Sequence, residues 1–457
     1  MRYRARKKSK KGLYIALVLL AALAAGGYYV YTSESFERQS PQIEIADEIY
    51  WNLKDPLEVR ISDNSGIKSY KVAITDGQKS EMIDTQTLAN PQKEVTVKVH
   101  PPVDMEFAKG RAQLIVEAKD KSFWNYFMGN EAKKRINIYI DAKKPDLFIV
   151  NNSYAITKGG SALVIFHCKD QNLKEFYIRT NFGKRFEAVP FYKEGYYATL
   201  IAWPLTKRTF RADVVAVDKA GNRAKAYIPL YLRNKRYKTS KINLKDSFLD
   251  GKIAELAEDD PKARSLDRIE RFKYVNEVMR KKNEELIYSL AAKVPKEMIS
   301  DFDIEPFKPL KNAAKVASFG DHRYYYYKGR LISDAYHLGL DLASTKMAPI
   351  VASNPGEVVF ADYNGIYGNM PMIGHGLGLY TLYGHCSTIF VRKGDEVSRG
   401  ETIAKTGRTG LALGDHLHFE VLVQGVPVRP EEWMDPKWIK LNVKDVMQEA
   451  KKLIQER

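Results

Sequence analysis

The sequence predicts a mainly β protein of several domains, held to a membrane by one apolar helix at its N-terminus. Three observations carry that reading. A chain of 457 residues exceeds what one hydrophobic core ordinarily organises, so two to four domains are expected. Short alternating runs such as "LEVRISD", "KSYKVAI", "EVTVKV" and "AQLIVEA", separated by Gly, Asn, Asp and Pro turns, fill residues 40–235 with the period of strands. Finally, "GLYIALVLLAALAAGGYYVYT" (12–32) carries no charge over the roughly 20 residues that a bilayer requires.

The bulk composition narrows the class. An apolar fraction of 44% with 28 tyrosines belongs to folded material. A net charge of +17 calls for an anionic partner or surface. No recognition helix or aromatic RNA-binding signature accompanies it, so no nucleic acid is expected, and anionic lipid or cell-wall polymer fits better. Two cysteines, Cys168 and Cys386, exclude a disulfide framework.

Taken from the N-terminus, "MRYRARKKSKK" (1–11) holds seven cations and reads as a cytoplasmic basic segment. Cations before the 12–32 span and none just after it keep the N-terminus inside and send the bulk of the chain out. A cleaved signal peptide is the competing reading, because "ALAA" offers small residues after the apolar core. Tyr28, Tyr29, Val30 and Tyr31 prolong the span and supply an interfacial aromatic belt, which favours an uncleaved anchor.

The β region contains an internal echo. "LIVEAKDKS" (114–122) recurs as "DVVAVDKAG" (213–221), and "VRISDNSGIKSYKVAI" (59–74) resembles "VIFHCKDQNLKEFYIR" (164–179). A period near 100 residues suits tandem immunoglobulin-like β-sandwich modules at 40–142 and 143–235, joined through "DAKKPD". Such modules imply spacing or binding of envelope proteins. Residues 245–300 change period: Leu266, Ile269, Phe272, Val275, Val278, Leu286, Ile287 and Leu290 recur at helical spacing. Asp259-Asp260-Pro261 marks a break, and a helical linker is expected. From about 315 to 440 the chain returns to Gly-rich β, and 441–457 reads as a short amphipathic helix.

Six of the eight histidines fall between 322 and 418. In "GDHLHFEV" (414–421) the pleat of a strand sends His416 and His418 to one face, about 6–7 Å apart along the backbone. In "YHLGLDLAS", His337 and Asp341 add an imidazole and a carboxylate, a normal zinc donor pair. In a straight strand their Cα atoms would stand about 13 Å apart, so the chain must bend between them, and Gly339 permits it.

Residues 318–438 resemble the catalytic domain of lysostaphin/LytM-type zinc metallopeptidases, which cleave the peptide cross-links of bacterial peptidoglycan. The motifs are "FGDHRYYYYKGRLISDAYHLGLDLAS", "GEVVFADYNGIYGN", "GLGLYTLYGHCS", "VRKGDEVSRGETIAKTGRTG" and "GDHLHFEVLVQGVPVRP". The resemblance implies a mostly antiparallel β domain at about 315–440, with Zn2+ held by His337, Asp341 and His418. It places two non-ligating catalytic histidines at His385 and His416. The implied enzyme is a zinc endopeptidase acting through a metal-activated water, with the two histidines orienting or deprotonating that water and steadying the oxyanion. Which histidine does which stays open.

Gly384 and Cys386 depart mildly from the family, which often has alanine before and leucine after the middle histidine. Cys386 has no dedicated base and reads as a packing residue, and His375 as a turn or structural histidine. A non-catalytic regulator of other cell-wall hydrolases is the alternative within the family, yet all five site positions are filled here. A carrier domain matches the hairpin "VRKGDEVSRGETIAKTG" but needs no Asp four residues after a His, and a structural adhesin leaves 318–438 unexplained. The expected setting is single-pass in the inner membrane, with the catalytic domain periplasmic and the D-alanyl to diaminopimelate cross-link as substrate.

Overall fold

The computed structural model describes residues 10–102, 110–258 and 260–456. Most of the basic segment expected at 1–11, namely 1–9, lies outside them, as does Asp259 of the expected helix break. Strands hold 44% of the residues and helices 22%, so the chain is mainly β as the alternating runs imply. It divides into two compact units. The first takes the described residues of 1–144 together with 218–222, and the second takes 145–217 and 223–456.

The first unit begins with the helix Lys11–Thr32, whose 22 residues include no buried side chain and which is long and apolar enough to cross a bilayer. A six-stranded sheet follows, ordered Gln42–Glu44, Leu57–Thr75, Arg111–Asp120, Glu131–Ile140, Glu48–Trp51, with Ser80–Val99 paired to Leu57–Thr75. Alternation sorts its faces. Along Arg111–Asp120 every second residue is buried, and Leu114, Val116, Ile136, Ile138 and Trp51 meet in one apolar core.

The second unit opens with two four-stranded sheets. One orders Arg185–Phe186, Leu173–Thr180, Ala212–Asp218, Arg223–Tyr227, and the other Val189–Pro190, Tyr196–Ala202, Ser161–Lys169, Asp146–Asn152. Ser161–Lys169 is buried at every residue but the last because both of its faces are covered. One face meets the facing sheet, and the C-terminal helix Asp445–Gln455, burying Val446, Met447, Ala450 and Ile454, closes the other.

Apart from the small parallel pair Ala155–Thr157 and Tyr231–Arg233, the remaining strands build the C-terminal domain. Its main sheet runs Ala314–Ala317, Leu340–Ala343, Leu417–Val423, Leu379–Gly384, Asn369–Gly374, Gly356–Tyr363, Glu396–Val397, with Val426–Val428 added on Leu417–Val423, and every pairing is antiparallel. This sheet and the two four-stranded sheets of the same unit share one hydrophobic core. At their seam Trp433 is fully buried and donates its indole N–H to Ser161 Oγ at 3.1 Å, while Gln424 accepts from the Glu187 N–H at 2.8 Å.

Residues 246–257, 261–264 and 268–291 are helical. Asp260 and Asp267 cap two successive helices by accepting N–H bonds from the first turn, and Pro261 occupies the first turn, where its missing N–H costs nothing. Phe272, Val275 and Ile287 pack on Tyr325, Ala335, Ile366, Tyr367, Met370 and Met372, while Val278 stays 41% exposed. The segment is therefore laid along the C-terminal sheet.

Because the shared core crosses the seam at Trp433, Trp433→Ala should cost about 3–5 kcal/mol. Calorimetry should show the melting of residues 145–456 shifted down as a whole. An unshifted transition would contradict the shared core.

Candidate metal centre

Sheet register assembles the site. Asp341 stands directly opposite His418 on the neighbouring strand, and His418 stands opposite Gly384 on its other side. His385 follows Gly384, and His416 precedes the same strand as His418, bridged to Gly407. His337 comes from the bend between the strands Arg330–Tyr336 and Leu340–Ala343. The bend required by the sequence is present, but Gly339 serves it by lacking a side chain. A Cβ there would meet the Phe419 carbonyl at 2.7 Å and the His418 ring at 2.8 Å.

Three donor atoms converge. His337 Nε2 lies 3.0 Å from Asp341 Oδ1 and 3.1 Å from His418 Nδ1, and His418 Nδ1 lies 2.8 Å from Asp341 Oδ1. The outer nitrogens fix the tautomers. His337 Nδ1 donates to the Ser318 carbonyl at 2.9 Å, and His418 Nε2 donates to Glu420 Oε1 at 2.8 Å. In the neutral rings each inner nitrogen turns its lone pair toward the others, so the cluster calls for positive charge between the donors, as a metal ion or, without one, as a shared proton. Two imidazoles and a carboxylate with fixed outer partners fit a zinc ion by their donor chemistry.

The two other histidines are held differently. His385 Nδ1 donates to the Thr409 carbonyl and His416 Nδ1 to the Gly414 carbonyl, both at 2.8 Å. Among the described residues no hydrogen-bond donor or acceptor is paired with their Nε2 atoms, the rings lie 4.9 Å apart, and His416 Nε2 is 3.7 Å from Asp341 Oδ1. His385 adopts φ of +65°, a conformation few side-chain-bearing residues take and one that accumulates at functional sites.

The electrostatics follow burial and charge. Burial, and then the neighbouring His418 and His416, push His385 well below the ordinary histidine value, so it stands neutral. Against the opposing pull of burial, hydrogen bonds from His337 and His418 hold Asp341 well below the carboxylate range. Against burial likewise, Asp341 and Glu420 raise His418 to about 9. The centre opens into a cleft of about 620 Å³. Its walls include Tyr325, Tyr336 and the Leu411–Gly414 loop, and on the helical side Lys245, Phe272 and Arg280.

All five residues singled out by sequence meet in this cleft. Three others stand apart. His375 is spent between the Pro355 carbonyl and Thr381 Oγ1, both at 2.8 Å. His322 stacks on Tyr336 with its Nε2 2.6 Å from Asp334. Cys386 is buried, which pushes its thiol up to about 12 and leaves it inert. Sequence reasoning missed Glu420, which is 1% exposed, and Arg323, whose Nη2 lies 3.7 Å from Asp341 Oδ2. Strand alternation could have found Glu420, since 416, 418 and 420 share one face. Nothing local points to Arg323.

A β domain with a His–Asp–His donor set in its groove falls in the class of metallopeptidases. Residues 335–430 match the model of peptidase family M23, and that stretch of the chain is an M23 peptidase domain. Over 94 residues the chain is 42% identical to the DD-carboxypeptidase/endopeptidase Mpg of Neisseria meningitidis, covering 21% of this chain and 22% of the relative. It is 43% identical, with the same coverage, to the peptidoglycan DD-endopeptidase ShyA of Vibrio cholerae. The chain thus spans about a fifth of the length of these relatives. Among solved structures, the catalytic domain of lysostaphin from Staphylococcus simulans aligns at 26% identity and a TM-score of 0.23, covering 27% of this chain and 92% of that one.

Deleting the carboxylate behind His418 should loosen the metal without touching a ligand. Glu420→Ala should lower zinc affinity about 10–100-fold, read by competition with a chromophoric chelator. Unchanged affinity would show that Glu420 does not orient His418.

Proposed function

We propose that this chain is a membrane-anchored zinc endopeptidase that hydrolyses peptide cross-links of bacterial peptidoglycan. The observation that carries the reading is the convergence of His337 Nε2, Asp341 Oδ1 and His418 Nδ1 beside two imidazoles with free Nε2 atoms, in one cleft. The relatives named as DD-endopeptidases support the bond type, a D-alanyl cross-link. Lys245, Arg280 and Arg323 on the cleft walls suit a substrate peptide that carries carboxylates.

His337, Asp341 and His418 would hold the zinc, which when bound supplies a Lewis acid for the scissile carbonyl and acidifies a water. The remaining work belongs to the chain. His385, neutral and buried, can take the proton of the attacking water at Nε2. His416, also open at Nε2, can donate from that nitrogen once it carries a second proton, as imidazolium, to the developing oxyanion or to the leaving amine. A non-catalytic regulator has no need of this complete set. Lys11–Thr32 serves as the anchor, with residues 33–457 outside the cytoplasm and the β modules free to meet envelope proteins.

Two outcomes test the reading. His418→Ala removes a ligand, so zinc content and cross-link hydrolysis should fall together. In His416→Ala zinc should stay while hydrolysis drops by about 10²–10³-fold or more, with His385→Ala behaving alike. The opposite pattern would exchange the roles within the pair. For topology, alkaline phosphatase fused after Arg457 should be active in cells. An inactive fusion, or a mature chain beginning near residue 25, would contradict the exported, anchored arrangement.

A further inference from the structure

The first unit holds another place where carboxylates meet. Glu37, Asp63 and Asp120 each present an oxygen within 4.8 Å of the others. Glu37 lies just past the apolar helix, Asp63 within the long strand Leu57–Thr75, and Asp120 at the end of Arg111–Asp120.

Structural roles explain part of this cluster. Asp120 accepts from the Ser122 and Asn130 N–H groups at 3.0 and 2.8 Å and from Asn130 Nδ2 at 2.7 Å. The same clasp recurs where Asn222 donates its N–H and Nδ2 to Asp218, both at 2.8 Å, so the clasp is a turn device of these strands. Asp63 Oδ1 is engaged by the Ser65 N–H, Ser65 Oγ and the Gly66 N–H at 2.7–2.8 Å. What remains is Asp63 Oδ2. Asp63 is only 8% exposed, and among the described residues no donor reaches that oxygen. With Oδ1 engaged by its own turn, Oδ2 is the atom it has left to offer to Glu37 and Asp120.

Among the described residues, the cations of this unit are paired elsewhere. The ion pairs of this unit join Arg60 to Glu94, Lys119 to Glu131, Lys133 to Glu117 and Lys134 to Asp47. Arg38, next to Glu37, has its guanidinium over the rings of Tyr31 and Trp124, 5.0 and 4.4 Å from their centres. Three carboxylates brought together, one of them with an orphaned buried oxygen, have among the described residues no cation paired with them of the kind that ordinarily accompanies such burial.

We propose that Glu37, Asp63 and Asp120 bind a calcium ion. The donors are all anionic oxygens with no imidazole or thiolate among them, which selects a hard cation and sets this site apart from the His–Asp–His centre. Calcium accepts six to eight oxygens in flexible geometry, so water can complete a shell that magnesium's strict octahedron would tolerate less well. The ion also gives Asp63 Oδ2 its missing partner. It would tie the segment leaving the membrane helix to two turns of the sheet. That segment already docks there, with the Glu37 carbonyl accepting from Ser122 Oγ at 2.7 Å and Phe36 packing edge-on against Phe123 and Phe127. The structure thus assigns the joint between anchor and first β module to calcium.

The test uses the full chain in detergent, loaded with zinc first, and equilibrium dialysis with radioactive calcium. Asp63→Asn keeps the Oδ1 acceptor of the turn, and Glu37→Gln keeps an amide acceptor for Asn130, so each removes charge with little change of shape. At a calcium concentration that just saturates the parent, each should bind about half a calcium per chain or less at this site, an affinity loss of about tenfold or more. Calcium should raise the parent's melting temperature more than that of either variant. Binding by the parent that both variants retain in full, or no saturable binding by the parent, overturns the proposal. If Asp63→Asn fails to fold, Glu37→Gln alone decides it.

Discussion

For these donors to hold a metal, three lone pairs must point at one spot about 2 Å from each, and strand register makes that possible. Asp341 and His418 are cross-strand partners, so their side chains rise from adjacent strands on one face with no adjustable loop between them. Slipping either strand by one residue would turn one donor to the opposite face and dissolve the set. His337 alone arrives from outside the ladder, and its arrival explains Gly339, since a methyl group there would strike the His418 ring. Ser318 and Glu420 then lock the two rings by their outer nitrogens.

The rest of the second unit serves that register. A shared core through Trp433 and Ser161 makes the preceding β sheets part of the platform on which the peptidase sheet rests. The helices of 246–291 cover the strands on the other flank, placing Phe272 and Arg280 along the cleft. One wall of the cleft is therefore contributed by sequence far upstream of the site motifs. Under the proposed function, the cationic residues on that wall would hold the peptide while the neutral, buried His385 would move a proton.

Legibility differed by the range of the interaction involved. The apolar helix, the alternating strands and the amphipathic C-terminal helix follow from local periodicity, which the backbone obeys directly. His416, His418 and the need for a bend before Asp341 follow from the pleat, and the structure brings His337, Asp341, His385, His416 and His418 together. What the sequence hid was non-local. The helical stretch reads as a linker because its buried stripe, Phe272, Val275 and Ile287, carries no sign of what it packs on. The single sheet of the first unit and the paired sheets of residues 146–227 have similar alternating runs, and only long-range pairing separates them. Arg323 and the Ser318 carbonyl reach the centre through the fold alone. Glu420 was legible by alternation, one step further along the strand.

The central claim is that one nitrogen of each of two histidines, with one carboxylate, forms the metal site while two other histidines stay free. Anomalous diffraction at the zinc edge on crystals of the zinc-loaded protein addresses it directly. The account predicts one zinc peak within about 2.0–2.2 Å of His337 Nε2, an Asp341 oxygen and His418 Nδ1, with His385 and His416 beyond bonding distance. A peak bonded to His385 or His416, or no zinc in this cleft, would contradict it.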